Sequence, residues 1–216
     1  ITTFQNVDDN IRYVPGGILL RKEDTRKGHL FGKYTSYSAN RTQAAVEKIR
    51  SLATSKKQRI LVYDEGEGGY VPRVGVLPPA EDIGAYYTSN KIGKTLEGKV
   101  GYSESDDERA LAVRKLFADY AQELKNRGVN AVFGPVLDVP LEEMNGNIIK
   151  KNGRSFSNLH LQVRPIAHLY IEEMHKQGIK VVGKHFLNVG LGGNGDVHIE
   201  QVPTGDSKAY RRQAAR

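Results

Sequence analysis

The 216-residue sequence predicts an α/β fold: a (β/α)8 TIM-like barrel, present only as its N-terminal portion of about the first five βα units. Three observations predict it. Short apolar runs too uniform to alternate mark strands buried on both faces, as parallel strands are. Helix-period segments separate those runs, giving the strand–helix rhythm of a crossover-connected parallel sheet. Polar residues, namely Asp64, Asp138, Lys184 and His185, stand at or just past the C-terminal ends of different strands. In a barrel those ends converge on the face where active sites form, which favours the barrel over an open doubly wound sheet.

The elements follow in order. Gly16 to Leu20 reads as a short buried strand, and the polar, irregular stretch to about Asn40 as a loop. Ala45, Ile49 and Leu52 share one face of a helix over about Thr42 to Ala53. Ile60 to Tyr63 is a second strand that runs into Asp64-Glu65-Gly66-Glu67-Gly68-Gly69. Glycine loses much entropy on ordering, so such a loop suits either a close backbone approach to a ligand or a tight solvated turn. Leu77-Pro78-Pro79 ends that excursion. Ser105-Asp106-Asp107-Glu108 has the pattern of a capping box. The helix behind it carries Val113, Phe117, Tyr120 and Leu124 on its apolar face and stops at Gly128. Ala131 to Leu137 is the third strand and ends at Asp138. A polar excursion from Leu141 to Asn152 leads to Arg154-Ser155-Phe156. The next helix buries Val163, Ala167, Ile171 and Met174, holds Pro165 in its first turn and closes at Gly178. Lys180 to Phe186 is the fourth strand, with only about thirty residues after it. At that pitch eight units need ~350 residues. The expected domain is therefore residues 1–216 as a partial barrel, incomplete at its C-terminus, and the start at Ile1 reads as a trimmed or excerpted chain.

Composition narrows the function classes. A chain 38% hydrophobic and 26% charged is an ordinary globular one. No apolar run approaches the ~20 residues of a membrane span, and no signal pattern opens the chain. The net charge of +7 admits an anionic partner. The basic residues are scattered, however, with Lys56-Lys57, Lys150-Lys151 and Arg211-Arg212 far apart and no nucleic-acid module around them. No nucleic-acid partner is expected. The absence of cysteine excludes disulfides, thiolate metal sites and cysteine nucleophiles, but leaves compartment and oligomeric state open.

The chemistry-bearing stretch is Val181 to Phe186 followed by a glycine-rich run and Asp196-Val197-His198. In an extended segment residues i and i+2 project to one side. Asp196 can then accept a hydrogen bond from one ring nitrogen of His198 and raise the basicity of the other, which suits general acid–base work near neutral pH. The bland alternative is a loop aspartate beside a surface histidine. Gly190-Leu191-Gly192-Gly193-Asn194-Gly195 matches the glycine spacing of a dinucleotide fingerprint, but Asp196 and Pro203 follow where a helix has to open. That argues against a nucleotide- or phosphate-binding reading. Asp196, His198 and His185 on one loop make a poor donor set, so neither a metal nor a cofactor is expected.

Several blocks in order carry a resemblance. Asp64 through Arg73 is similar to D-Q-E-G-G-R-V-Q-R, Leu77-Pro78 to the L-P that follows it, Phe133 to Val139 to F-A-P-V-L-D-V, and Arg154 to Ser157 to R-S-F-S. Gly183 to Phe186 is identical to G-K-H-F, and Asp196-x-His198 is similar to D-S-H. On these blocks the chain resembles the N-terminal catalytic barrel of family 3 glycoside hydrolases, in particular the bacterial β-N-acetylglucosaminidases. It departs where the family's K-H-F-P-G-H-G is here Lys184 to Gly190, and one extra residue stands near Asp64. The resemblance implies a retaining exo-glycosidase that releases terminal N-acetyl-β-glucosamine from cell-wall fragments or chitin oligosaccharides. It assigns His198 as acid/base, assisted by Asp196. It gives Arg73, Arg154, Lys184, His185 and either Asp64 or Glu65 to the sugar hydroxyls, where ordinary ion pairing at a barrel mouth is the alternative. The family's aspartate nucleophile lies on a later strand that this chain does not contain. No cofactor is implied, and the compartment, bacterial cytoplasm or cell envelope, is undetermined. The alternative function is a non-catalytic carbohydrate-binding protein of the same fold.

Overall fold

The computed structural model describes residues 2–3, 17–19, 39–55, 57, 59–68, 77–88, 104–141, 145–185 and 189–191. Among them five strands, β1 (Thr2–Thr3), β2 (Gly17–Leu19), β3 (Leu61–Asp64), β4 (Ala131–Val132) and β5 (Lys180–Val181), form one sheet in the order β1-β2-β3-β4-β5. Every pairing is parallel, with Leu19 opposite Tyr63, Tyr63 opposite Ala131, and Ala131 opposite Lys180. Sequential order without reversal is not the order of a doubly wound sheet, whose strand order reverses at a central crevice. The expected parallel pairing holds for these strands. β1 was not anticipated, because two threonines make no apolar run.

The last two strands are shorter than their apolar runs. Pro135 has no N–H to give to a ladder, so regular pairing stops near Val132 and resumes as an isolated bridge between Val136 and Lys184. There Leu137 N donates to Lys184 O at 2.6 Å, and Lys184 N donates to Pro135 O at 3.1 Å. The Gly134–Pro135 and Lys184–His185 peptides are both cis. This second, short pairing carries Asp138 and His185 forward side by side.

Among the described residues five helices accompany the sheet: α1 (Ala39–Ser55), α2 (Ala80–Thr88), α3 (Glu104–Asn126), α4 (Ile148–Lys151) and α5 (His160–Lys176). Along β3 burial alternates, with Val62 and Asp64 buried and Leu61 and Tyr63 half-buried. The buried side meets Phe117, Tyr120 and Leu124 of α3 and Val163, Ile166, Ala167, Tyr170 and Met174 of α5. Phe117 stands edge-on to Tyr170 at 5.2 Å and to Phe156 at 6.3 Å. Cutting such a ring back to alanine costs about 3–5 kcal/mol. On the opposite side Tyr63 stacks on Phe133 at 4.5 Å. The Asn130 side chain sets the start of β3: its Oδ1 accepts from Val62 N at 2.7 Å and its Nδ2 donates to Ile60 O at 3.0 Å.

The helices meet the sequence expectations in part, and some of those expectations fall on side chains outside the described residues. In α1 the described buried residues are Val46 and Ala53, with Leu52 half-buried, while the side chains of Ala45 and Ile49 lie outside the described residues. α3 starts at Glu104, so Ser105 stands inside it, and its capping contacts also lie outside the described residues. α5 starts at His160, which puts Pro165 beyond the first turn. The ring is tolerated there because the carbonyl deprived of a donor belongs to Leu161, an exposed residue. Gly128 and Gly178, at φ +78° and +75°, end α3 and α5 in the left-handed conformation as expected. Two helices were missed. α2 follows Pro78-Pro79 and has Glu81 and Asp82 in its first turn, a helix-start signal that was there to read. α4 is one turn, held by Asn147 as its N-cap. Among the described residues no helix is long and apolar enough to cross a membrane.

Candidate functional site

The alternation of β3 separates two neighbouring acids. Asp64 falls on the helix-facing side and is fully buried, its Oδ2 accepting from Tyr120 OH at 3.2 Å. Burial, and then the charge of Asp64, pushes the Tyr120 and Tyr170 phenols well above their ordinary range. Glu65, one residue on, accepts from Lys184 Nζ at 3.0 Å. Gly66 then turns the chain at φ +67°, where a Cβ would come within 2.8 Å of both the Val132 Cβ and the Tyr170 hydroxyl. Tyr170 OH donates to Gly66 O at 2.8 Å, and Gly68 lies against the Pro78 carbonyl with no room for a side chain. Gly66 and Gly68 thus bring the backbone close to the protein's own chain.

The turn returns Glu67 beneath Glu65. Arg154 grips it with both arms of the guanidinium, Nε to Oε2 at 2.7 Å and Nη2 to Oε1 at 2.8 Å. Lys184 Nζ is ion-paired with Glu67 Oε1 as well and so bridges the two glutamates. Burial alone would raise the Glu67 carboxyl, but the hydrogen bond from Arg154 and the charges of Lys184 and Arg154 hold it below the usual carboxylate range. Burial likewise works against the Arg154 charge, and Glu67, Asp138 and Glu65 outweigh it, raising that guanidinium.

His185 is oriented from the other side. Asp138 Oδ2 accepts from His185 Nδ1 at 2.6 Å and from its backbone N at 2.9 Å, while Ser155 Oγ donates to the Asp138 carbonyl at 2.6 Å. His185 Nε2 lies 3.3 Å from Arg154 Nη2. A carboxylate only accepts and a guanidinium only donates, so the ring that fits both is neutral, with its proton on Nδ1 and a lone pair toward Arg154.

Burial sorts the cluster into two tiers. The side chains of Asp138 and Glu67 are 0% and 2% exposed, whereas Arg154, Lys184, Glu65 and His185 are 12%, 15%, 19% and 25% exposed. A buried acidic floor fixes an accessible layer of donors, and Arg154 Nη1 has no hydrogen-bond partner among the described residues. Such a layer offers charge-assisted hydrogen bonds to hydroxyl and carbonyl oxygens of a ligand.

Of the residues singled out from sequence, Glu65, Arg154, Lys184 and His185 come together here, and Asp64 turns away to the helices. Arg73, Asp196 and His198 lie outside the described residues. Glu67 and Asp138 were not chosen as site residues. Both stood in the quoted segments, but spacing alone does not say which of three carboxylates lies underneath. Among the described residues no three His, Asp or Glu side chains are grouped as a metal site.

The sequence pattern described as the glycosyl hydrolase family 3 N-terminal domain matches residues 16–213. A protein named beta-hexosaminidase from Idiomarina loihiensis is 30% identical over 141 residues, covering 65% of this chain and 37% of that protein. One of the same name from Xylella fastidiosa is 31% identical over 153 residues, covering 68% and 39%. The chain thus spans about two fifths of the length of these curated relatives. Among solved structures, native NagZ from Neisseria gonorrhoeae superposes with a TM-score of 0.65 at 22% identity, over 93% of this chain and 49% of that one. The beta-N-acetylhexosaminidase of Beutenbergia cavernae gives 0.60 at 22%, over 82% and 46%. At that identity the structures speak for the fold.

Proposed function

The chain belongs to the N-terminal domain family of the family 3 glycosyl hydrolases, and from that premise we propose that it is the front part of the (β/α)8 barrel of a retaining exo-β-N-acetylglucosaminidase. The observation that carries the reading is the two-tier cluster at the C-terminal ends of β3, β4 and β5, on a sequential parallel sheet. Barrel active sites occupy that end. Glu65, Arg154, Lys184 and His185 hold hydroxyls of the terminal N-acetylglucosamine, with Arg73 joining them, and Glu65 rather than Asp64 takes the acidic position. A site built to pair with hydroxyls rejects ligands that lack them.

In this reading His198 protonates the leaving oxygen, Asp196 orients its ring, and an aspartate outside residues 1–216 attacks the anomeric carbon to form a glycosyl-enzyme. Water then releases the sugar with His198 acting as base. The test uses the full-length protein and 4-nitrophenyl N-acetyl-β-glucosaminide. Nitrophenol release is expected, and His198→Ala lowers kcat by about 10²–10⁴ for poor leaving groups and far less for good ones. Binding of the sugar with no release would instead identify a carbohydrate-binding protein. Equal losses for good and poor leaving groups would remove His198 as the acid.

A further inference from the structure

The Val189–Gly190 peptide, in the short 3₁₀ turn Val189–Leu191, is held from both sides. Its carbonyl accepts from Asn147 Nδ2 at 3.0 Å, and its N–H donates to Asp138 Oδ1 at 2.8 Å. Asn147 and Asp138 are both buried, each 1% exposed. The orientation of the Asn147 amide is fixed, because its Oδ1 accepts from Ile149 N at 3.0 Å while its Nδ2 faces a carbonyl. Asp138 gives its other oxygen to His185. One peptide unit is therefore locked to the residue that orients the site and to the cap of α4. In sequence, the glycine-rich run leading to Asp196 and His198 starts at that peptide.

We propose that Asn147 is a positioning residue of the hydrolysis: with Asp138 it clamps the Val189–Gly190 peptide and fixes the point from which the segment bearing Asp196 and His198 departs. This rests on the reading of His198 as acid/base given above. The bonds of the Asn147 amide go to Val189 O and Ile149 N rather than to the side chains proposed to hold the sugar, so its effect is expected on kcat rather than on KM.

Asn147→Asp separates the clamp from the cap. Aspartate still accepts from Ile149 N and caps α4, but an ionised carboxylate has no proton for the Val189 carbonyl and repels it. Protonation restores a donor, so the activity of this variant relative to wild type recovers as pH falls, which a merely loosened fold does not do. Asn147→Gly is the second variant; glycine is tolerated at an N-cap, and it removes the clamp without burying a charge. In the full-length protein the amides of Val189–Leu191 are expected to exchange about tenfold faster in both variants, with α3 and α5 unchanged. The kcat on poor leaving groups falls about tenfold to a hundredfold while KM stays within about twofold. Unchanged exchange and unchanged kcat overturn the proposal, and so does a joint shift of kcat, KM and exchange throughout α3 and α5. If the wild type releases no nitrophenol, the hydrolase reading falls and the catalytic role of Asn147 with it. Fast exchange of Gly190 in the wild type removes the clamp alone.

Discussion

Glu67 and Glu173 are the same device in two places. Each is a buried glutamate held by one arginine and one lysine: Arg154 and Lys184 for Glu67, Arg114 and Lys176 for Glu173. Burial opposes the charge of both, and in both the cations win and hold the carboxyl below its usual range. The difference lies in the cations. Those around Glu67 are 12% and 15% exposed, whereas Arg114 is 34% and Lys176 57% exposed. Arg114 also reaches Glu172, so the outer cluster fastens α3 to α5 under solvent. The inner one gathers residues from three separate strand ends or loops. Identical chemistry thus serves as surface fastening in one place and as a scaffold for ligand donors in the other.

The largest expected effect comes from Glu67→Gln, which takes the bidentate countercharge from Arg154 and leaves Lys184 with Glu65 alone. Urea unfolding should show a loss of about 3–5 kcal/mol, and under the proposed function sugar binding is lost with it. A loss no larger than that of an exposed pair would erase the distinction between the clusters.

Acid comes next. Because the folded carboxyl of Glu67 titrates below its unfolded value, its contribution is fully present above the ordinary glutamate range near 4.3 and disappears as pH falls through the lowered value. The wild type should therefore lose stability below about pH 4.5, and Glu67→Gln should show a flatter acid limb in the same titration. An equally steep limb in the variant would place the acid sensitivity elsewhere, with Glu173 the first candidate since its shift has the same sign.

Arg114→Gln should cost about 1 kcal/mol or less, because Arg114 itself is open to water and Lys176 still pairs with Glu173. Smallest of all is the salt effect. A double-mutant cycle on Arg114 and Glu173 should shrink by a few tenths of a kcal/mol between low and high ionic strength, and one on Arg154 and Glu67 should not.

Apart from β1 the sheet was legible because its strands lie in apolar runs, and α3 and α5 because their core faces repeat at helical spacing. α2 escaped because its buried face is made of Ala80, Ile83 and Gly84, of which Ile83 alone is large, and one residue makes no apolar stripe. Gly84 is small for a reason: any side chain there meets the Phe156 carbonyl. The site was half legible. Motif order brought out Arg154, Lys184 and His185, yet Asp64 and Glu65 are indistinguishable until the strand's phase is known. Glu67 and Asp138 are invisible as supports because support is a matter of depth, and sequence spacing carries no depth. Asn147 had no signal except its place before Ile148, where an asparagine is a good helix cap.

The Lys184–Glu65 bond joins residues 119 positions apart, and Arg154 reaches Glu67 across 87. Closing spans of that length is entropically costly and comes after local structure has formed. On the ribosome, Glu65 and Glu67 therefore emerge and wait while more than half of the present chain is still to be made. Their cations arrive late, so a labelled sugar that binds this cluster would report the completion of folding rather than its onset.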